Sequence, residues 1–276
     1  SRAEPKGGGG YPLAGQQTND QYVSGGFAWN VAGGNPAPGA RFIGERIHQL
    51  WTTPHGVIKA ATKNNAKLDF KMVNGREVPV LSFTEAGRFK ATVYLNDDFL
   101  VDRIESRFPD AVLGETDSVY TFSGYRDFNG VKFPSLIQQK IGGAHVLDIA
   151  VTKVEPNAPA DIALPDAVRN ATERVTTDKV AEGVWFVAGG SHNSVAIEMK
   201  DHMVLVEAPL GDVRTGPVLE AVAKLAPGKP IRFVVNSHHH FDHTGGIRAA
   251  ASTGATIVTN AANKAYFEKN LAAKVS

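Results

Sequence analysis

The sequence predicts an α+β domain, built from a curved antiparallel sheet and two helices, followed by a domain of α/β layers. Three observations support this: a series of short strands separated by tight turns, a polar Pro-rich stretch, and then strands that alternate with helices. The predicted divisions are a flexible arm (1–19), an antiparallel β-rich accessory domain (20–155), a linker (156–171) and a second domain (172–276).

Glycine and proline set the limits of the arm. The first 40 residues contain ten Gly and four Pro, which disfavour helices and long strands. We expect residues 20–32 to form either a short strand or an arm that packs on the body through its aromatic residues.

The body of the accessory domain begins with helical periodicity. Apolar residues from Arg41 to Trp51 recur at spacings of three and four, and a second short helix is expected over Pro54–Thr62. Asn-Gly and Asp-Asp pairs then mark turns between runs that are typical of strands. Seven strands are predicted, at 68–73, 78–84, 89–95, 100–106, 118–125, 131–140 and 146–154.

The second domain has a different pattern. Apolar runs predict strands at 184–187, 194–199, 203–206, 231–235 and 256–259. Amphipathic stretches predict helices at 217–225, 247–252 and 262–273.

Composition excludes several classes of protein. The 29 basic and 28 acidic residues leave a net charge of +1, which argues against a nucleic-acid partner. No apolar run reaches the ~18 residues of a membrane span. Cysteine is absent, so thiolate chemistry and disulfides are excluded. The chain starts without Met; removal of a signal peptide is one explanation and trimming is another, and we predict a periplasmic or secreted location.

Residues whose side chains can bind a metal are concentrated in one segment. Four of the nine histidines lie within six residues, between an apolar strand and a Thr-Gly-Gly turn that leads into a helix. The segment is His238-His239-His240-Phe241-Asp242-His243. A loop at the carboxyl end of a strand is where α/β sheets place ligand sites, and imidazole and carboxylate are the zinc ligands available to a chain without Cys.

The spacing within this segment predicts metal ligands. His238 and His240 are separated by one residue, so both rings can turn toward one metal, while Asp242 and His243 can face a second metal about 3.5–4 Å away. Asp242 is also the predicted catalytic carboxylate. Alternation turns His239 away from these two rings, so we expect it to point outward or to lie behind the metal ligands. The alternative is a solvated histidine-rich loop.

The run from Asn236 to Gly246 resembles the H-x-H-x-D-H signature of the metallo-β-lactamase fold superfamily, whose members include glyoxalase II-like and β-lactamase-like hydrolases. The resemblance covers about residues 174–276 and implies the first half of an αββα fold. It also implies two zinc ions, one held by His238 and His240 and the other by Asp242 and His243. Glu207 stands where relatives commonly carry Asp.

The resemblance further implies a downstream His, a bridging Asp and a last His. After His243 the chain has no His or Asp, and its only acidic residue is Glu268. We therefore expect a second polypeptide segment, the C-terminal part of the same gene product, to complete the fold and the ligand set. Until it binds, one sheet face would lie open to water, comprising Val195, Ile197, Leu205, Phe233 and Val235.

Other residues carry weaker signals. Glu207 is interpreted as a carboxylate behind the metal ligands or as a buried structural group, and His192 as a residue at the rim of the site or an exposed turn histidine. His48 and His55 are expected at the surface or at helix caps. The first domain faintly resembles lipoprotein-carrier (LolA-like) half-barrels, and its aromatic residues either line a concave face or form ordinary core.

These observations favour a zinc-dependent hydrolase of the metallo-β-lactamase superfamily that acts on a small molecule. It would use a metal-bound hydroxide on an ester, thioester, lactone or lactam-type bond. The alternative is a lipid- or ligand-binding protein in which the metal loop is structural or vestigial.

Overall fold

The computed structural model describes residues 19–86, 88–160 and 162–271, so the predicted arm lies outside the described residues except for Asn19. Within them the chain forms two compact units. One contains residues 19–43, 111–114 and 164–271, and the other contains 44–110 and 115–163. The predicted accessory domain (20–155) is therefore divided between the units, because its first residues cluster with the C-terminal part of the chain.

A small antiparallel sheet begins the first unit. Its strands are β1 (Asn19–Ser24), β2 (Phe27–Ala32) and β3 (Asn35–Pro38), in the order β1-β2-β3. Both hairpins turn through Gly-Gly pairs at positive φ, the conformation that glycine adopts without strain. The Trp29 side chain is 2% exposed and stacks on Tyr22.

The second unit is mostly sheet, in agreement with the sequence prediction. Helices α1 (Ile43–Trp51) and α2 (Pro54–Lys63) precede seven antiparallel strands, and each strand pairs with the next one in the chain. The strands are β4 (Lys67–Val73), β5 (Arg76–Glu85), β6 (Phe89–Leu95), β7 (Val101–Asp110), β8 (Gly114–Phe128), β9 (Val131–Ile141) and β10 (Ala144–Ala150). Alternating apolar residues of the central strands pack with α2, and Val57, Val93 and Ile104 are fully buried.

His48 is buried, which corrects the expectation that it lies at the surface. Its Nε2 lies 2.8 Å from the Ser106 hydroxyl, and its ring lies between Phe89 and Phe108. The α1 face that carries His48 packs on the sheet, whereas Leu50 on the same helix is 52% exposed. His55 is exposed, as expected.

A six-stranded mixed sheet forms the rest of the first unit, after the short helix α3 (Asp166–Arg169). Its strands lie in chain order: β11 (Thr176–Ala181), β12 (Val184–Ala188), β13 (Ser194–Glu198), β14 (Met203–Val206), β15 (Ile231–Asn236) and β16 (Thr256–Thr259). The first four are antiparallel, while β14, β15 and β16 are parallel. The sequence did not predict β11, because its Thr-Thr-Asp-Lys start is polar and exposed.

Helix α4 (Asp212–Leu225) covers one face of this sheet and connects β14 to the parallel β15. Its apolar residues Val218 and Val222 are fully buried with Leu205 and Val234. Leu205 was expected on the open face, and this was wrong. Alternation places it with Met203 on the face that α4 covers, whereas Val195, Ile197, Phe233 and Val235 are half-buried.

The remaining helices follow β15. They are α5 (Phe241–Thr244), α6 (Ile247–Ser252) and α7 (Lys264–Leu271). In the part of the chain that the structure describes, no helix is long and apolar enough to cross a membrane.

Candidate metal centre

The histidine-rich segment starts where β15 ends, inside the sheet rather than at its edge. β15 pairs with parallel strands on both sides and ends at the buried Asn236. The chain then turns into α5, whose last residue, the buried Thr244, donates a hydrogen bond of 2.9 Å from its hydroxyl to the His240 carbonyl. The polar segment is therefore held at the carboxyl end of a buried strand, as its sequence predicted.

Backbone hydrogen bonds hold this turn against the segment that follows β14. The Gly246 amide donates to the Ala208 carbonyl at 2.9 Å, and the Ala208 amide donates to the His243 carbonyl at 3.3 Å. A Cβ atom on Gly245 would lie 2.4 Å from the Leu210 carbonyl group, and one on Gly246 would lie 1.9 Å from the Thr215 hydroxyl. Gly245 is therefore needed for the close approach of the two backbones, and Gly246 for the close approach of the Thr215 side chain.

Three of the predicted ligands come together. The candidate ligand atoms of His238, Asp242 and His243 all lie within 4.8 Å of one another, and all three side chains are half-buried. The ring centroids of His238 and His243 are 4.1 Å apart, and Oδ2 of Asp242 lies 3.6 Å from Nε2 of His243. We refer to these three residues as the ligand cluster.

His240, the fourth predicted ligand, lies beside this cluster. Its ring centroid is 4.7 Å from that of His238, with the two rings nearly perpendicular. His240 is exposed, and so is His239, whose ring instead packs against Tyr266 at 4.6 Å. The structure thus places His239 on the side of α7 and leaves His240 next to the ligand cluster.

Glu207 lies behind His243. Its Oε2 is 3.5 Å from Nδ1 of His243, and its side chain is 14% exposed. Its carboxylate accepts hydrogen bonds of 3.1 Å from the Asn236 side-chain amide and from the Ser237 backbone amide. Glu207 itself adopts a φ of +67°, a conformation that is rare outside glycine and turns the chain sharply after β14. Glu207 therefore orients both a ring of the cluster and the backbone that leads into it.

His192 reaches the ligand cluster from the turn between β12 and β13. Its Nε2 lies 3.2 Å from Oδ2 of Asp242, and its Nδ1 lies 3.0 Å from the Ser191 hydroxyl. His192 is 36% exposed, so it stands at the rim of the site.

The charge state of Asp242 follows from these neighbours. Its partial burial raises the pKa of the Asp242 carboxyl, but its own backbone N–H and the histidines at 243, 192 and 240 lower that pKa more, and the net shift is downward. Asp242 is therefore a carboxylate at neutral pH, which is the form that binds a metal.

The donor set fits zinc. Two imidazoles and one carboxylate, converging within a few ångströms and backed by a second carboxylate on one imidazole, match the ligand types and the outer-shell support of protein zinc sites. The Ser237 hydroxyl, 2.9 Å from Nδ1 of His238, orients another ring in the same way.

Residues 187–275 match the family model of the metallo-beta-lactamase superfamily. This part of the chain belongs to that superfamily. The matched region begins in β12 and includes the ligand cluster, so the resemblance of the His238–His243 segment to the superfamily signature is confirmed. No curated protein matches the chain.

Solved metallo-beta-lactamases are similar to about a third of this chain. The mono-zinc form of FIM-1 from Pseudomonas aeruginosa is 27% identical, with a TM-score of 0.32, and the match covers 36% of this chain and 47% of that one. An enzyme from Hirschia baltica is 28% identical, with a TM-score of 0.30 and coverages of 34% and 48%. The chain therefore spans about half the length of the superfamily structures that it matches.

Sequence reasoning missed several residues of the site. Ser237 and Asn236 were treated only as the end of a strand, although a hydroxyl and an amide directly before a histidine cluster are natural partners for its rings and backbone. Thr244 carried the same signal, as a hydroxyl residue that immediately follows the cluster. Ser191 had no local signal, because its role depends on a turn that is distant in the sequence.

Proposed function

We propose that this protein is a zinc-dependent hydrolase that cleaves an ester, thioester, lactone or lactam-type bond of a small molecule. The observation that carries the proposal is the convergence of His238, Asp242 and His243 within 4.8 Å at the carboxyl end of a central strand. Membership of residues 187–275 in the metallo-β-lactamase superfamily supports a metal-dependent hydrolase.

The proposed roles follow from the geometry. His238, Asp242 and His243 hold zinc, and His240 is placed to contribute a fourth ligand. Zinc, when bound, acidifies a coordinated water and polarises the bond that is cleaved. Glu207 orients the His243 ring through Nδ1, and Oδ2 of Asp242 is placed to accept a proton and share it with Nε2 of His192. The number of zinc ions is part of the proposal, and the resemblance implies two.

Metal binding and turnover test this proposal together. Metal-free protein is titrated with zinc against a chromophoric chelator, and the zinc-loaded protein is assayed on nitrophenyl esters, thioesters, lactones and β-lactams. We expect at least one tightly bound zinc per chain and turnover on one bond type. Zinc binding without turnover favours the second candidate, a ligand-binding protein with a structural metal loop. Less than about half an equivalent of zinc contradicts both the centre and the hydrolase.

A second polypeptide segment remains part of the proposal. Its support is the sheet face that α4 leaves half-buried, which carries Val195, Ile197, Phe233 and Val235. The resemblance implies that such a segment also brings the remaining His and Asp ligands. Native mass spectrometry of the purified protein tests this. A second species bound to the chain supports it, and a soluble monomer with nothing bound contradicts it.

The periplasmic or secreted location predicted from the sequence is a further proposal. Fractionation of cells that express the natural gene, followed by detection with an antibody, tests it. Recovery in the cytoplasmic fraction would contradict it.

A further inference from the structure

A pocket of about 500 Å³ lies in the first unit, beside the candidate metal centre. Its lining residues come from 38–42, 171–174, 189–191 and the chain around the start of α4. Three arginines and one glutamate line it, so its charge is positive: Arg41, Arg174, Arg214 and Glu173.

Arg214 is the unusual member of this lining. Its side chain is 4% exposed, and its Nη1 donates hydrogen bonds to Oε1 of Glu173 at 2.9 Å and to the Arg174 carbonyl at 2.7 Å. Its Nε and Nη2 are buried and have no hydrogen-bond partner among the residues that the structure describes. Buried donors of a charged group are normally paired, since an unpaired one costs free energy. Arg214 therefore offers two unused donors at the wall of a pocket.

Other features of the pocket also favour the binding of a negatively charged ligand. α4 begins at the pocket, and its N-cap residue is Gly211, which has no side chain to cap the first amides. The first N–H groups of a helix lack partners within the helix and attract anions. Gly189 and Gly190 also line the pocket, and a Cβ atom on Gly190 would lie 3.1 Å from the Arg214 guanidinium carbon.

Two residues that line the pocket, Ser191 and Arg41, each contact a neighbour of the ligand cluster. Ser191 lines the pocket, and its hydroxyl lies 3.0 Å from Nδ1 of His192, whose other ring nitrogen faces Asp242. Arg41 lines the pocket as well, and its guanidinium carbon lies 5.7 Å from the ring centre of Phe241, the residue before Asp242. A molecule whose charged end enters the pocket would thus extend toward the metal ligands.

We propose that this pocket binds an oxyanion, the carboxylate or phosphate group of a small molecule, through the free donors of Arg214 and the cation of Arg41. A guanidinium with free Nε and Nη2 groups is suited to hold such a group through two hydrogen bonds. If the protein is the proposed hydrolase, its substrates carry a negative group; this consequence rests on the proposed function. The anion site itself does not.

Calorimetry on the metal-free full chain tests the site independently of zinc. Inorganic phosphate and acetate are titrated separately at constant ionic strength, and the tighter of the two identifies the preferred group. We expect saturable 1:1 binding that weakens about tenfold or more in Arg41→Gln and in Arg214→Lys. The matched control is Arg232→Gln, an exposed arginine of β15 paired with Asp201 outside the pocket, which should bind like the wild type.

Arg41 is exposed, so we expect Arg41→Gln to fold. Circular dichroism shows whether Arg214→Lys also folds. If it does not, Arg41→Gln alone decides the outcome. Absence of saturable binding to the wild type, or unchanged affinity in the deciding variant, would overturn the anion site. Anion binding without zinc binding would support the anion site and contradict only the proposed hydrolase function. If the protein both binds anions and hydrolyses esters, Arg41→Gln should lower its preference for a charged substrate. The measure is kcat/KM for a carboxylate-bearing ester divided by kcat/KM for its neutral analogue.

Discussion

Nε2 of His192 lies 3.2 Å from Oδ2 of Asp242, although 49 residues separate them in the chain. The contact joins the β12–β13 turn to the segment after β15. It gives the only carboxylate of the ligand cluster a partner that is outside that cluster. A partner at this distance helps to hold a metal-binding carboxylate in one orientation.

Removing this partner should weaken zinc binding without abolishing it. We expect His192→Ala to lose about tenfold in zinc affinity, since loss of an outer-shell partner typically costs 10–100-fold. His145→Ala is the matched control, because it removes a His–Asp pair of 3.0 Å in the second unit. Equal zinc affinities of the two variants in a chelator competition would contradict a role for His192.

Loss of the Asp242 charge should have a larger effect. We expect Asp242→Asn to reduce kcat by ~10²-fold or more, because it removes both a ligand and the predicted proton acceptor. His239→Ala should be mild by comparison, since that ring packs on Tyr266 rather than in the ligand cluster. Steady-state kinetics on the substrate found in the assay compares them, and equal losses would show that these roles are assigned wrongly.

Glu207 is predicted to stabilise the fold as well as the site. The two carboxylate oxygens of Glu207 accept hydrogen bonds from the Asn236 side chain and the Ser237 amide. In Glu207→Gln an NH₂ group replaces one of these oxygens, so one donor would face another donor. We expect the free energy of unfolding to fall by about 1–3 kcal/mol. Urea denaturation measures it, with Glu220→Gln on the exposed side of α4 as the control. No difference between the two variants would count against the hydrogen-bonding role.

His48 should make the second unit less stable in acid. Burial lowers the pKa of His48 to about 4, while an unfolded histidine titrates near 6.5. Between these values only the unfolded chain binds the proton, so stability is complete above about pH 6.5 and falls as the pH drops toward 4. The expected loss is on the order of 3 kcal/mol. Urea melts at several pH values should show a smaller change in His48→Gln than in the exposed-histidine control His55→Gln. Parallel pH profiles of these two variants would contradict it.

A methyl group at Gly245 should disrupt the loop that carries the ligands. Its Cβ would lie 2.4 Å from the Leu210 carbonyl, so one of the two backbones must move. We expect Gly245→Ala to destabilise the protein by about 1–3 kcal/mol. Gly44→Ala in helix α1 is the control, since a Cβ there would meet no atom of the described residues within 4 Å. Thermal melts of both variants provide the comparison, and a Gly245→Ala variant as stable as the control would show that the loop adapts freely.

Some features of this protein follow from local patterns alone. The seven strands of the second unit and the two helices before them were predictable, because alternation, helical spacing and Asn-Gly turns act over a few residues. The same holds for the ligand segment, since an apolar strand, four histidines and a Gly-Gly turn are contiguous. Its metal-binding chemistry was therefore predictable from residue types and spacing.

Other features depend on contacts between distant segments. The burial of His48 depends on which face of α1 packs against the sheet. The first turn of α4, before Pro217, contains the buried Arg214, which bonds to the distant Glu173 and Arg174. The grouping of His238 with Asp242 and His243, the approach of His192 and the free donors of Arg214 depend on how loops meet at the end of a sheet. The sequence by itself thus determined most of the elements and the ligand types. The tertiary structure decided which side chains share a site, because those distances are fixed by packing between segments far apart in the chain.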